Sequence, residues 1–183
     1  METPALLESL TRGARLEDLR LPGSSRQALN ALAARRPSRT FAIFHGPGGT
    51  GKALVAEALA AHLRLPAYRI DLRRLVSTHI GVTEKHLDAV FDAAAAGGAL
   101  LLFDEGDALM GPRAGVRDAH DRYAHADIDH LLRRIEASDG LAILTSNAVR
   151  EVAPELVRRA GAIVGIPRTP TPAQPARGPR AHP

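Results

Sequence analysis

The chain has 183 residues, 45% of them apolar and 24% charged, with a formal net charge of +4 and no cysteine. That balance suits one globular domain with its own core, and it excludes disulfides and thiolate metal sites. The longest apolar run, residues 99–103, is far too short to cross a bilayer, and Met1-Glu2-Thr3-Pro4 opens no basic-then-apolar signal pattern, so the expectation is a cytoplasmic protein with no membrane segment.

Residues 1–15 carry no strong pattern and read as a flexible leader. Residues 24–35 read as a short helix with Leu29 and Leu32 turned inward. The run Phe41-Ala42-Ile43-Phe44, ending in glycines, reads as a buried strand. Residues 52–63 read as a helix with Val55, Leu59 and Leu63 on one stripe, and 68–71 as a second strand. Over 83–96, Leu87, Val90, Phe91 and Ala94 recur at helical spacing until Gly97-Gly98 stops them. Residues 99–103 are apolar on both faces, as a central parallel strand requires. Ile128, Leu131, Leu132 and Ile135 predict a helix over 127–137, followed by a strand at 141–145. A short helix at 154–160 and a fifth strand at 162–166 complete the pattern. Strands alternating with helices predict a three-layer α/β/α fold around a parallel sheet. From Pro167 onward proline and arginine dominate without period, so 168–183 is expected to be a disordered tail. The arginines are scattered along the chain rather than gathered on a face, which argues against nucleic-acid binding.

Gly46-Pro47-Gly48-Gly49-Thr50-Gly51-Lys52 lies between an expected strand and an expected helix. Glycines let the backbone wrap so that N–H groups converge on phosphate oxygens, the helix start adds its positive end, and Lys52 can reach the terminal phosphates. The order strand, loop, helix favours this cradle over a plain glycine turn. The next residue, where a hydroxyl normally ligates Mg²⁺, is Ala53, which has no oxygen to offer. The 99–103 strand then delivers Asp104 and Glu105 to the sheet edge where α/β ligands sit. Asp104 is the expected Mg²⁺ partner and Glu105 the expected base for the attacking water. Asn147, after the fourth strand, can hold that water or sense the last phosphate. Several acidic and imidazole side chains between His120 and His130 do not share one helix face and are read as a solvated surface, not a metal site.

These elements resemble the AAA family of ATPases over residues 16–167. HGPGGTGKA is similar to that family's Walker A segment, LLLFDEGDAL to its Walker B, LTSN to its sensor strand, and PELVRRAGAIVGIP to the segment carrying its arginine fingers, with Arg158 and Arg159 in that place. The stretches around Tyr68–Ala94 and Arg117–Asn147 look closest to a bacterial branch, some members of which accompany contractile injection particles. The resemblance implies a P-loop nucleotidase core with five parallel strands ordered 5-1-4-3-2. It also implies ATP and Mg²⁺ as ligands, and self-association into a ring in which Arg158 or Arg159 reaches a neighbour's nucleotide. His79 stands where the family's pore loop usually carries an aromatic that grips a protein substrate. The chain ends where the family's helical lid would start, so weak self-association is expected. Three functions stay open at this point: an ATPase that remodels a protein, a nucleotide-binding ring subunit without turnover, and a DNA-associated member such as a helicase loader.

Overall fold

The computed structural model describes residues 6–10, 13–34, 39–77, 79, 81–94, 98–110 and 119–168, with the backbone alone over 119–125. The strands are β1 (Glu8–Ser9), β2 (Thr40–His45), β3 (Ala67–Asp71), β4 (Ala99–Asp104), β5 (Gly140–Ser146) and β6 (Ala162–Gly165), in one sheet ordered β1-β3-β4-β5-β2-β6. β2 to β6 are mutually parallel and stand in the expected 5-1-4-3-2 order, read from the opposite edge.

The sheet gains a sixth, antiparallel strand from the stretch expected to be a leader: Glu8 lies opposite Arg69 and Ser9 opposite Tyr68. Leu10 N–H donates to Ala67 O at 2.9 Å, and Leu6, Leu7 and Leu10 pack on the core. Backbone pairing along the β3 edge, together with the packing of these leucines, orders this piece. Residues 169–183, nearly all of the expected tail, lie outside the described residues.

The helices are α1 (Gly23–Ala34), α2 (Lys52–Leu63), α3 (Leu72–Leu75), α4 (Val82–Ala94), α5 (Ala119–Ala137) and α6 (Pro154–Arg159). On one face of the sheet, Leu29 and Leu32 of α1 and Val55, Ala56, Leu59 and Ala60 of α2 pack against Ala42, Phe44, Leu100, Leu102 and Ile143. On the other, Leu87, Val90 and Phe91 of α4, Leu131 and Ile135 of α5 and Leu156 of α6 cover Ile43, Ile70, Leu101 and Phe103. β4 is buried along its whole length, which explains its unbroken apolar reading. α5 starts well before the expected Asp127, because its first turns carry no aliphatic repeat larger than alanine. α3 is a single turn that buries Leu72 and Leu75, and the Asp71 side chain caps it by accepting from Arg73 N–H. No described helix is long and apolar enough to cross a membrane. Parallel register brings His45, Asp71, Asp104 and Ser146, the last residues of four strands, to one edge of the sheet.

Candidate functional site

The Gly46–Lys52 loop crosses that edge between β2 and α2, and its shape depends on particular glycines. Gly46 N–H donates to Ser146 O at 3.1 Å, and a Cβ on Gly46 would stand 2.0 Å from Ile166 O, so only glycine fits there. Gly49 and Gly51 have φ of 76° and 85°, left-handed values that curl the chain into the first turn of α2. The Thr50 hydroxyl is buried inside this curl without a hydrogen-bond partner among the described residues. The Lys52 ammonium donates to Gly46 O at 2.6 Å and Pro47 O at 3.2 Å, which holds it over the loop mouth. His45, just before the loop, is held below the ordinary imidazole pKa by burial first and by the Lys52 charge second.

Opposite the loop, β4 delivers its two carboxylates into the same cleft, and β5 delivers Thr145, Ser146 and Asn147. Glu105 adopts a left-handed backbone, φ 61°, a conformation that costs a non-glycine residue about 1 kcal/mol or more. Its N–H is fixed by two acceptors, Asp104 Oδ1 and Thr145 Oγ1, both at 3.1 Å. The following Gly106 lets the turn press on β5, since a Cβ there would meet Thr145 O at 2.4 Å. The Glu105 carboxylate is thereby swung away from the strand, 42% exposed, with Arg73 Nη1 4.0 Å from Oε1. Arg73 itself is clamped by Asp71, whose carboxyl is held below its usual range chiefly by the Arg73 hydrogen bond.

Asp104 is 9% exposed and fully engaged. Its Oδ1 accepts from Thr145 Oγ1 at 2.5 Å and from Glu105 N–H. Its Oδ2 takes Arg69 Nε at 2.8 Å and Arg69 Nη2 at 2.6 Å. Arg69 also reaches toward Glu8 of β1, Nη1 to Oε2 at 3.7 Å. Register explains the meeting: Arg69, Asp71, Leu102 and Asp104 point to one face of the sheet, with Asp71 beside Asp104. An ionised carboxylate offers about four acceptor positions, and four donors fill them here.

Mg²⁺ is the ion that such a cleft implies, and the donor set does not fit an ion held by the protein. Ala53 supplies no oxygen, and Asp104, the expected metal residue, is committed to Arg69, Thr145 and the Glu105 amide. Among the described residues no cluster of acidic and imidazole side chains could hold a metal. The side chains of His120, Asp121 and His125 lie outside the described residues.

Asn147 sits at the cleft as expected, and its partner is a residue that sequence reasoning missed. Asp107 Oδ2 accepts from Asn147 Nδ2 at 2.7 Å, while Asp107 Oδ1 accepts from Ser146 Oγ at 2.8 Å. With its amide so committed, Asn147 has its carbonyl oxygen left as an acceptor for a water proton. Arg69 was also missed: a lone cation in a strand reads as solvent-facing. Arg158 and Arg159 stand at the end of α6, away from the loop. Each has a carboxylate partner: Glu155 pairs with Arg158 at 3.4 Å, and Glu136, from the end of α5, pairs with Arg159. Both arginines remain largely exposed, at 67% and 58% of their side chains. His79 is exposed, and its backbone N–H donates to Ser77 Oγ at 3.1 Å.

Residues 42–168 match the model of the ATPase family associated with various cellular activities (AAA). Among curated proteins, the uncharacterized AAA family ATPase y4kL of Sinorhizobium fredii is 43% identical over 75 residues, covering 41% of this chain and 23% of that protein. The ATP-dependent zinc metalloprotease FtsH 2 of Bdellovibrio bacteriovorus is 32% identical over 143 residues, covering 75% of this chain and 23% of that protein. The cell division cycle protein 48 homolog of Archaeoglobus fulgidus is 31% identical over 126 residues, 67% of this chain and 17% of that protein. The chain thus spans about a quarter or less of the length of these relatives. The fold is similar to that of a solved structure of the FIGL-1 AAA domain in complex with ADP, with a TM-score of 0.68 at 17% identity, covering 90% of this chain and 59% of that one. Loop, acidic strand end, sensor strand and family match coincide on one stretch of sequence, and the chain belongs to the AAA family of ATPases.

Proposed function

We propose that this domain binds ATP in the cleft between the Gly46–Lys52 loop and the β4 and β5 ends, and that hydrolysis there drives the remodelling of a protein substrate or assembly in the cytoplasm. The observation that carries this reading is the convergence of the loop, Glu105 and Asn147 on a single cleft. Loop N–H groups and the start of α2 receive the phosphates. Lys52 exchanges its two loop carbonyls for phosphate oxygens, a stronger acceptor for an ammonium. Glu105, exposed and displaced from the strand, orients the attacking water and accepts its proton, while the Asn147 carbonyl holds the same water. With Ala53 and the committed Asp104 offering it no oxygen, any Mg²⁺ that accompanied ATP would depend on phosphate oxygens and water. Arg158 and Arg159 complete the site of a neighbouring copy, exchanging Glu155 and Glu136 for that copy's terminal phosphate. The loop around His79 is the candidate contact for a protein substrate.

Radiometric ATP turnover, with Glu105→Gln as the control, tests the reading. The native chain should hydrolyse ATP. The variant should lose turnover by about a hundredfold or more while retaining nucleotide. Turnover unchanged in the variant would remove Glu105 from the reaction, and binding without turnover in the native chain would leave a nucleotide-holding subunit.

A further inference from the structure

In most of the cleft the chemistry is shared between loop and strand ends, but one side chain comes from the neighbouring strand β3. Arg69 lines the cleft beside the phosphate loop, and its side chain is 33% exposed. Two of its nitrogens lie on Asp104 Oδ2, at 2.6 and 2.8 Å, and the side chain is braced from behind by Glu8 of β1. Lys52 and Arg69 are the two cations of the cleft lining, and they face Asp104, Glu105 and Asp107. Arg73, 4.0 Å from Glu105, is already held by Asp71, so without Arg69 only Lys52 would be left uncommitted before Asp104, Glu105 and Asp107, and a nucleoside triphosphate would enter against a surplus of negative charge. A divalent ion ordinarily relieves such a surplus. Here position 53 carries no hydroxyl and Asp104 has no acceptor left to offer one.

We propose that Arg69 is the resident cation of this site: its guanidinium neutralises Asp104, so the chain binds a nucleoside triphosphate nearly as tightly without a divalent ion as with one. The inference rests on the ATP-binding reading and adds to it a property that the donor set alone dictates. A guanidinium is always charged and takes a carboxylate through two nitrogens at once, so the neutralisation is permanent and does not depend on ion supply. Arg69 acts through Asp104 and is in this sense a positioning residue.

The test is a titration of the full chain with a fluorescent ATP analogue carrying a methylanthraniloyl group, in excess Mg²⁺ and again in EDTA. For the native chain the dissociation constant should rise less than about fivefold in EDTA, below the range of ordinary ligand coupling. In Arg69→Gln, Asp104 is left unpaired, and the same ratio should reach about tenfold or more. In the double variant Arg69→Gln/Asp104→Asn both charges are gone, and the ratio should return below fivefold. This neutral pair keeps the hydrogen-bonding shape of the original and guards against a single variant that fails to fold. A native ratio above fivefold overturns the proposal without any variant, and so does an Arg69→Gln ratio equal to the native one. Failure to bind the analogue in either buffer overturns the ATP-binding reading and this inference together, whereas binding that collapses only in EDTA overturns this inference alone.

Discussion

Single residues decide whether this cleft can form. Gly46 is the most exacting, because any side chain there would collide with the Ile166 carbonyl. Backbone must move to admit it, and overpacking of that kind costs about 1–3 kcal/mol. Gly46→Ala should therefore lower the melting temperature by about 3–10 °C in a thermal scan, given the few degrees per kcal/mol usual at this size. Asp107 illustrates a different dependence. It lines the cleft across from the phosphate loop and holds Asn147 and Ser146, so Asp107→Ala should cut turnover by about tenfold without weakening the affinity for ATP. Steady-state kinetics beside a binding titration separates the two effects; an equal loss of affinity would mean that Asp107 serves binding instead. That the loop glycines, Lys52, Glu105 and Asn147 meet at one cleft was legible in the sequence, because each belongs to a short motif at the end of a readable strand. Arg69 and Asp107 were not. Each acts across strands, and nothing in the linear order of YRID or DEGD tells which carboxylate or amide the sheet will set beside it.

Elements respond to pH and solvent according to how they are covered. His45 closes β2 and is kept neutral by burial and by Lys52, so its folded pKa lies below its unfolded value of 6.5. The unfolded chain binds the proton more tightly, which means stability rises with pH through this range and falls as pH drops below about 6.5. Urea unfolding at pH 7.5 and pH 5.5 should show the loss, and His45→Gln should shrink it; an undiminished loss in the variant would assign the acid sensitivity elsewhere. β4 and β5 lie inside the sheet with both faces packed, whereas β1 is a two-residue edge strand exposed on its surface. Amide hydrogen exchange should run fastest in β1 and slowest in β4 and β5. The five parallel strands were readable because each is an apolar run bounded by turn residues. β1 was not, since Glu8 and Ser9 carry no apolar signal of their own and are placed by pairing with Arg69 and Tyr68 between leucines that pack on the core.

At the scale of the whole molecule, the proposed role of Arg158 and Arg159 in a neighbouring copy's site predicts that binding and turnover can be separated. They lie on α6, outside the cleft, exposed and lightly held by Glu155 and Glu136. A finger residue supplied in trans can be worth about 10³–10⁵ in phosphoryl transfer. Specific ATPase activity should therefore fall on dilution as copies part, and replacing both arginines by alanine should remove most turnover while leaving ATP affinity nearly unchanged. A flat activity profile across the dilution series would show that one copy suffices. The central claim is that the Gly46–Lys52 loop is a phosphate cradle, and its most direct test is calorimetric titration of ATP into the native chain and into Lys52→Ala. The account predicts saturable one-site binding to the native chain and an affinity at least about tenfold weaker in the variant, the loss of a charge-assisted phosphate contact. Equal affinity in the two proteins, with both folded, would contradict it.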